Sequence, residues 1–339
     1  MLRTIFVSTL LTFPLCAFAA PVITKATVTG EYVEVWGSGF GAKTNVKPLV
    51  WLDYETENDA ALYRLNIDTL KSNGTIVPEI NKSTNKVLKF DLKSHASGGP
   101  EQLPFNSNYL YVSMRRFYNF DMTNPELLAS AGGGGLNLKP FRLWTEWSSK
   151  VKAHSILFGY QGKEGIESGR ITPELTEEFS QWTGSTVKFK PFVWFTQEYL
   201  YNSSELNVRN GLLQIYTDGK KGGSRPMTTI TTLYPEKYKF LFFDQVSNYN
   251  LLTPLEVYYD DIYIDDTHAR IVLNNAPSPS DYSQTYPLIP VAWTDTYVKA
   301  KLTKTAKEHP SFCLYVYDES NAPNSQGFCP IRPKAPAAL

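Results

Sequence analysis

The sequence predicts an all-β fold built from antiparallel β-sandwiches. Aromatic residues make up 14% of the 339 residues and charged residues only 19%, a composition that favours a large folded core over disorder. Short stretches alternate apolar and polar side chains, and clusters of Gly, Pro, Asn, Asp and Ser separate them, as in strands joined by turns. The clearest stretches are 32–36, 110–114, 212–216 and 255–264. Their short length and regular separation are typical of a sandwich or a barrel.

The first residues, 1–19, have the features of a secretory signal peptide. Arg3 supplies a positive charge, residues 5–15 are predominantly apolar, and Ala17 and Ala19 give the small-x-small pattern of a cleavage site. The apolar stretch is too short to cross a bilayer as a stable helix. We therefore expect cleavage after Ala19 and a secreted or periplasmic location. Since no later stretch reaches about 18 apolar residues, we expect no membrane insertion after cleavage.

Signal removal leaves two of the three cysteines, Cys313 and Cys329, in the exported chain. Two thiols in an oxidising compartment form a disulfide more often than they stay free. The residues between them have the pattern of a strand, a turn and a second strand. A bond that closes a loop of this size contributes about 3 kcal/mol, so we interpret the pair as a structural disulfide.

The charge balance limits the classes of partner. The chain carries 33 basic and 33 acidic side chains, so it has no net basic field. Proteins that hold nucleic acid or anionic membranes through phosphate contacts need such a field. We therefore expect no nucleic-acid partner.

One helix is expected in this strand-rich sequence. Thr172 is an N-cap residue, Pro173 suits the first turn, and residues 174–179 continue the helix. The segment is short, so we expect it to decorate a loop between strands.

Two separated parts of the chain resemble the two ends of one small domain. Residues 21–23 and the turn Gly-Ser-Gly-Phe-Gly at 37–41 are similar to the opening of an IPT/TIG domain, a small immunoglobulin-like (Ig-like) sandwich. The glycines permit a sharp turn, and Phe40 fills the core between the sheets of such a domain. The closing strands of the same family are similar to three later segments, 291–298, 314–317 and 324–328.

The resemblance implies one discontinuous IPT/TIG-like domain, assembled from residues 21–50 and 288–332. A large domain, 51–287, is then inserted between the two segments, and residues 333–339 form a loose tail. Two independent Ig-like fragments are the alternative.

Residues 51–287 resemble a concanavalin A-like lectin/glucanase jelly roll, a fold that polysaccharide lyases also use. Four segments carry the resemblance: a Trp-led strand at 194–202, an Asn-Gly turn at 210–211, a strand ending in Tyr-x-Asp-Gly at 214–219 and an Asp-rich last strand at 260–270. It implies an antiparallel β-sandwich, the jelly roll, next to the small Ig-like β-sandwich. It also implies a concave sheet face that receives a sugar chain, although such a fold does not determine an activity.

Period-2 alternation predicts which side chains face that groove. The apolar residues of the strands at 110–117, 141–145 and 212–216 suit the core, which leaves their polar and aromatic residues for the other face. The strand at 192–200 carries aromatic residues on both faces, so its orientation stays open. Arginine can hold carboxylates, and flat rings can stack on sugars. The expected ligand-binding residues are Arg115, Arg142, Trp144, Gln197, Tyr199, Gln214 and Tyr216.

Three functions remain open. We favour an exported carbohydrate-binding protein that acts on a polysaccharide, an anionic one included. The alternative is a lyase that cleaves a uronic-acid-containing glycan by β-elimination, with Tyr199 or Tyr216 as base and Arg115 or Arg142 neutralising the carboxylate. The third is a structural or adhesion protein without a glycan site. Neither the acidic strand of jelly-roll glucanases nor the signatures of the best-known alginate lyases are present, which favours binding over catalysis.

Metal ligands are scarce in the sequence. Asp260 and Asp261 can offer oxygen ligands to calcium, and exposed acids beside a turn are the alternative interpretation. No other cofactor is expected. The four histidines have no metal-ligand spacing, so we expect them at scattered surface positions: His95, His154, His268 and His309.

Overall fold

The chain folds almost entirely into antiparallel β-strands, as the alternating sequence pattern predicts. The computed structural model describes residues 20–55, 64, 74–92, 103–105, 107–130, 136–145, 155–161, 169–174, 183–184, 188, 190–232, 235–246 and 255–329. In these ranges the only helices are α1 (Pro125–Ser130) and α2 (Lys304–Glu308), and neither has the length and apolarity needed to cross a membrane. The expected signal peptide, the tail, His95 and His154 lie outside the described residues.

The middle of the chain forms a large sandwich, and its larger sheet is called the front sheet here. The strands of the front sheet are β3 (Val50–Leu52), β4 (Thr75–Glu79), β5 (Lys82–Leu92), β7 (Tyr109–Tyr118), β12 (Phe195–Asn202), β13 (Gly211–Thr217), β14 (Lys220–Met227) and β16 (Leu255–Asp265). Their order across the sheet is β14-β13-β12-β7-β16-β5-β4, and β3 pairs with β16 beside this path. All the pairings are antiparallel.

The second sheet of the large sandwich is called the back sheet. Its strands are β6 (Leu103–Pro104), β8 (Asn137–Trp144), β9 (Ser155–Gln161), β10 (Gly169–Glu174), β11 (Thr183–Gly184) and β15 (Phe240–Val246), in the order β11-β10-β9-β8-β15-β6. Residues 172 and 173 lie in β10, opposite Leu157 and Ile156 of β9. The helix expected to start at Thr172 is therefore wrong, because sheet pairing overrides the local capping signal.

The hydrophobic core of the large sandwich lies between these two sheets. Leu110, Val112 and Met114 of β7 are at most 1% exposed and belong to the same buried cluster as Phe141 and Phe243 of the back sheet. This is the side of β7 that the alternation predicts to be buried. Every second residue of β7 therefore points to the opposite face of the front sheet, which we call its outer face.

The two ends of the chain come together in a small sandwich. One sheet has the order β1-β2-β20-β19, formed by β1 (Val22–Thr29), β2 (Tyr32–Ser38), β19 (Ile289–Trp293) and β20 (Tyr297–Lys301). The other has the order β18-β17-β21, formed by β17 (Arg270–Asn274), β18 (Thr285–Pro287) and β21 (Cys313–Tyr317). Phe40 is fully buried in the core between them, in the role that the turn at 37–41 predicts. The IPT/TIG relationship of this sandwich stays a prediction.

Strand pairing moves one boundary of the small sandwich. Strands β17 and β18 precede residue 288, yet β17 pairs with both β18 and β21. The second segment of the small sandwich therefore begins at Arg270 rather than at residue 288. The preceding strand β16 ends at Asp265, so only four residues connect the two sandwiches here.

The predicted disulfide between Cys313 and Cys329 is confirmed, with the two Cα atoms 4.4 Å apart. It ties the start of β21 to the segment that returns beside it, where the backbones of Leu314 and Phe328 exchange hydrogen bonds. The bond therefore fixes the last described residues of the chain to the small sandwich.

Candidate functional site

The outer face of the front sheet is the face that the sequence predicts to be a sugar-binding groove. Tyr111, Ser113 and Arg115 of β7 point to it, as the alternation predicts, because their neighbours Leu110, Val112 and Met114 point into the core. However, Tyr111 and Ser113 are at most 1% exposed. Something therefore covers the centre of this face.

The small sandwich and the segment leading into it form that cover. The hydroxyls of Tyr111 and Tyr282 both donate to the carboxylate of Glu198, each at 2.7 Å. The Arg270 guanidinium lies against the rings of Tyr111 and Tyr317, with its central carbon 4.1 and 3.7 Å from their centroids. The two sandwiches are thus joined by buried hydrogen bonds and ring contacts over the middle of the expected groove.

The cover extends across the sheet to β5. Lys304 of α2 forms a salt bridge with Glu55 at 2.5 Å and donates to the side chain of Asn85 at 3.3 Å. At the edge of the sheet, Lys82 pairs with Glu308 at 2.6 Å. The outer face is therefore an interface within the molecule rather than an open groove.

Arg115, the expected carboxylate-binding residue, already holds two carboxylates of its own sheet. Its guanidinium donates to Asp260 at 2.7 Å and to Glu79 at 3.1 Å. It also stacks on Trp194, 4.7 Å from the ring centroid. Its donors are therefore committed to internal partners, which does not suit a residue that must bind a substrate carboxylate.

Gln214 and Tyr216 also lie on the outer face of the front sheet. Gln214 is 6% exposed. Tyr216 is half-buried and packs against the cluster that contains Tyr111 and Leu200. Burial raises the pKa of the Tyr216 hydroxyl, and the negative charge of Glu198 raises it further. A raised pKa keeps the hydroxyl protonated at physiological pH, so the phenolate that would act as the base in an elimination reaction is scarcely populated.

Gln197 and Tyr199 point into the core of the large sandwich, not to the outer face. Arg116, which is fully buried, donates to the side chain of Gln197 and, at 3.0 Å, to the hydroxyl of Tyr199. The same guanidinium pairs with Asp244 at 3.2 Å. Burial raises the pKa of Tyr199 well above its ordinary range. Both side chains thus lie on the core face rather than on the outer face, and their roles as base and ligand-binding residues stay predictions that this burial does not support.

Arg142 and Trp144 lie in β8 of the back sheet. The guanidinium of Arg142 stacks on the indole of Trp144, 4.0 Å from its centroid. Both residues occupy one face, as alternation predicts, but β8 pairs with β9 and β15 rather than with a strand of the front sheet. The expected seven-residue groove is therefore divided among the outer face, the core and the back sheet. Period 2 assigns a side chain to one of two faces, but it does not say which sheet a strand joins.

The proposed calcium ligands do not fit a calcium ion. Asp260 accepts hydrogen bonds from Arg115 and from Asn85 at 2.9 Å, so a cation of the protein already occupies its oxygens. Among the described residues, no three His, Cys, Asp or Glu side chains form a group that could hold a metal. Burial raises the pKa of Asp261 to about 6 and raises that of Asp260 as well. These two carboxylates are buried between the sandwiches rather than exposed beside a turn.

His268 is another correction, because it is buried rather than at the surface. It is 3% exposed, in the connection between the sandwiches. Burial and the nearby charge of Arg270 lower its pKa to about 4, so the ring is neutral at physiological pH. The Tyr109 ring packs edge-on against it at 5.5 Å. His309, the other described histidine, is half-buried and stacks on Tyr286 at 4.9 Å.

A polar cavity of about 290 Å³ opens beside this contact, and we call it the seam cavity because both sandwiches line it. Its wall comes from four parts of the chain. These are the loop after β2 (Thr44 and Asn45), the start of β7 (Ser107 and Tyr109), the connection after β16 (Asp266 and Thr267) and the loop after β21 (Glu319). Hydroxyl, amide and carboxylate groups thus converge from four parts of the chain. The volume falls at the lower end of the usual range for small-molecule sites.

The lining residues of the seam cavity differ in bonding and in exposure. Asp266 is paired with Arg64, and the backbone of Asp266 accepts a hydrogen bond from Ser107 at 2.8 Å. At the rim, Glu319 is exposed and Tyr109 is 45% exposed. Of the two carboxylates in the described lining, Asp266 is paired with Arg64, so Glu319 supplies the negative charge that disfavours an anionic ligand.

Sequence reasoning identified only part of the seam cavity. The run of aspartates at the end of β16 stands out in the sequence and continues to Asp266, just after the strand. Thr44, Ser107 and Glu319 carry no motif, and 275 residues separate the first from the last in the sequence. Only the docking of the two sandwiches brings them together.

Comparison with known proteins adds only distant likenesses. No protein-family model matches the chain, and no curated protein sequence matches it. The alginate lyase Aly36B gives a TM-score of 0.43 at 11% identity, over 65% of this chain and 97% of that one. The PL-14 alginate lyase from Aplysia kurodai gives 0.42 at 8%, over 64% and 98%. The endo-β-1,4-glucuronan lyase from Trichoderma reesei gives 0.42 at 9%, over 65% and 95%. With scores and identities this low, these likenesses carry no argument about ligand or reaction.

Proposed function

We propose that the protein is an exported carbohydrate-binding protein that holds an uncharged glycan in the seam cavity. The observation that carries the proposal is the convergence of hydroxyl, amide and carboxylate groups beside the half-exposed ring of Tyr109. The signal-like first residues support export to a secreted or periplasmic location. The disulfide between Cys313 and Cys329 supports it too, because such bonds persist in oxidising compartments.

The lining of the seam cavity suits a sugar because each sugar hydroxyl both donates and accepts hydrogen bonds. Carboxylates such as Glu319 accept from sugar hydroxyls, and Thr44 can serve either role. The Ser107 hydroxyl already donates to the Asp266 backbone and can only accept, whereas the Thr267 hydroxyl accepts from the Ala269 backbone and can still donate. An aromatic ring offers an apolar face to the C–H side of a sugar, and Tyr109 is the ring available at the rim. Together these groups form a site for one or two sugar rings.

The same lining argues against an anionic glycan and against the lyase alternative. A uronate in the seam cavity would lie beside the exposed carboxylate of Glu319, and the nearby cation Arg64 is already paired with Asp266. An elimination reaction is favoured by groups that neutralise the substrate carboxylate and stabilise the enolate, and carboxylates in the lining do the opposite. Of the expected lyase residues, Tyr199 lies in the core, Arg142 lies in the back sheet and Arg115 is paired internally.

A glycan array that presents neutral, amino and uronic oligosaccharides tests the proposal. We expect neutral sugars to be retained and uronic sugars not to be retained. Replacing Tyr109 by Ala should then weaken the best neutral ligand by about tenfold, the effect of losing one ring contact and part of a buried surface. Glu319→Gln should weaken it less and should improve binding of the matching uronic sugar, because it removes a negative charge from the rim.

Leu206→Ala is the matched control for Tyr109→Ala. Leu206 is 54% exposed and does not line the seam cavity, although its loop leaves the adjoining strand at the same end of the front sheet. Its replacement should leave sugar affinity unchanged. No retained glycan on the array, or equal loss with both variants, contradicts the proposal and leaves the structural or adhesion role as the remaining explanation.

A further inference from the structure

A buried ion pair joins the two sandwiches next to the seam cavity. Lys43 lies in the loop after β2 of the small sandwich, and Asp265 is the last residue of β16 in the front sheet. The lysine Nζ lies 2.6 Å from Oδ2 of Asp265, and both side chains are fully buried. Their sequence neighbours Thr44 and Asp266 line the seam cavity. The pair therefore lies where two parts of the chain, 222 residues apart in sequence, meet.

The surroundings of this pair make its two charges costly. Lys43 donates a second hydrogen bond to the backbone carbonyl of Ala269 at 2.7 Å, and the Trp293 ring centroid lies 5.7 Å from its Nζ. Burial lowers the pKa of Lys43 and raises the pKa of Asp265 to about 6, although the charge of each partner opposes the shift. Transfer of one proton within the pair gives a neutral amine beside a neutral carboxylic acid. A neutral amine is a nucleophile, whereas an ammonium group is not.

The other groups around the Asp265 carboxyl suit the addition of a nucleophile. The backbone N–H of Asp266 donates to Oδ1 at 2.9 Å, and the Arg64 guanidinium lies 3.6 Å from the same oxygen. A hydrogen-bond donor and a cation at one oxygen stabilise the negative charge that develops there during acyl transfer. The hydroxyl of Tyr263 donates to the second oxygen, Oδ2, at 2.8 Å. This bond orients Oδ2 and withdraws charge from it, which suits an oxygen that departs.

We propose that Lys43 and Asp265 join spontaneously in an isopeptide bond, which links the small sandwich covalently to the front sheet. The lysine Nζ attacks the side-chain carboxyl carbon of Asp265, so that a C–N bond forms and the bond from this carbon to Oδ2 breaks. The nitrogen gives two of its three protons to Oδ2, which leaves as one molecule of water. The ammonium and the carboxylate thus become one neutral amide, and no oxidant or further reactant is consumed.

The distance between the reacting atoms suits this step. The lysine nitrogen lies at most about 3.8 Å from the carboxyl carbon, since one C–O bond adds about 1.2 Å to its distance from Oδ2. Atoms held about 3–3.5 Å apart are close to attack geometry. The two groups are buried together in the folded chain, so a small movement within the pair is enough for reaction.

Intact-mass measurement of the exported protein, with its disulfide reduced, tests this bond. We expect a mass that is one water molecule lower than the mass calculated from its own first and last residues. A tryptic digest should contain the peptide with Lys43 joined to the peptide with Asp265. The calculated mass without loss of water, or a loss of water that maps to other residues, overturns the proposal and leaves the two side chains as a buried ion pair.

Lys43→Arg is the matched variant, because its guanidinium keeps a positive charge beside Asp265 but is not a nucleophile for a carboxyl group. It should have the calculated mass without loss of water. Tyr263→Phe keeps both reacting groups and removes only the donor to the departing oxygen. Mass measured at intervals after synthesis should show the bond forming at least about 100-fold more slowly in this variant. A loss of water that persists in Lys43→Arg overturns the bond, and an unchanged rate in Tyr263→Phe overturns the role of that hydroxyl.

Discussion

Replacing Asp261 by Asn should stabilise the protein at neutral pH. The side chain is 4% exposed, beneath the small sandwich, and one of its oxygens has no hydrogen-bond partner. Burial raises its pKa from the ordinary 3.8 to about 6, even though Arg115 opposes the shift. Each pH unit of difference corresponds to about 1.4 kcal/mol, so the ionised carboxylate costs about 3 kcal/mol. Asn keeps the backbone, because it tolerates the φ of 50° at this position.

The sign of the pH dependence follows from the raised pKa. Between about pH 4 and pH 6 the folded chain binds the proton more readily than the unfolded chain, so its stability falls as the pH rises through this window. The stabilisation by Asp261→Asn should therefore be near zero at pH 4 and reach its full size above pH 6. The negative charge of Asp261 also raises the pKa of Asp260, so the difference between the two chains reports this pair of buried carboxylates.

Urea unfolding of both chains at pH 4, 5, 6 and 7.5 measures this difference. With an m-value of about 3 kcal/mol/M, the midpoint of the variant should lie up to ~1 M higher at pH 7.5. Asp295→Asn is the control, because Asp295 is exposed and its bond from the Gly41 backbone can be kept by the Asn oxygen. A variant that is equally or less stable than the wild type at pH 7.5, or a gain that does not change with pH, refutes the reasoning.

Three further changes test the contact between the sandwiches, the buried charge in the large core and the disulfide of the small sandwich. Gly219→Ala should lower the thermal midpoint more than Gly30→Ala. Both glycines have positive φ, but only a Cβ at residue 219 would meet a backbone oxygen, that of Tyr282 at 1.8 Å. Equal effects of the two changes would contradict the close approach of the backbone at Gly219. Arg116→Met should lower the free energy of unfolding in urea by about 3–5 kcal/mol, because it leaves the buried carboxylate of Asp244 without its cation. A decrease below about 1 kcal/mol would contradict this account of the core. Cys329→Ser should cost about 3 kcal/mol, and reducing agent should then have no further effect on the variant; an unchanged urea midpoint would contradict a stabilising role.

The strands and their faces could be predicted from the sequence because each depends on local alternation. Leu110 and Tyr111 are neighbours in β7, and the alternation correctly separates the core-facing residue from the outer-facing one. The turn at Phe40 was equally predictable, because glycines and a single large apolar residue are local signals. The disulfide followed from the small number of cysteines in an exported chain.

The candidate site could not be predicted in the same way. The strand of Tyr199 carries aromatic residues on both faces, so the sequence leaves its orientation open, and only the buried charge of Arg116 explains why polar groups face the core there. Arg142 lies in a different sheet, which period 2 cannot reveal. The seam cavity depends on how two sandwiches dock, and no local pattern in Thr44 or Glu319 reports that contact.

The covered outer face also changes how the large sandwich should be understood. A jelly roll alone would offer its concave sheet to a sugar chain. In this chain the contacts of Tyr282 and Arg270 occupy the centre of that sheet. The place left for a small polar ligand is where the two sandwiches meet.

A crystal structure of the protein with its best neutral oligosaccharide tests the central proposal most directly. The account predicts a sugar ring in the seam cavity, with its C–H face on Tyr109 and hydroxyls bonded to Glu319 or Asn45. It also predicts that Tyr282 stays bonded to Glu198, with the outer face closed. A sugar bound on the outer face between separated sandwiches, with nothing in the seam cavity, would contradict it.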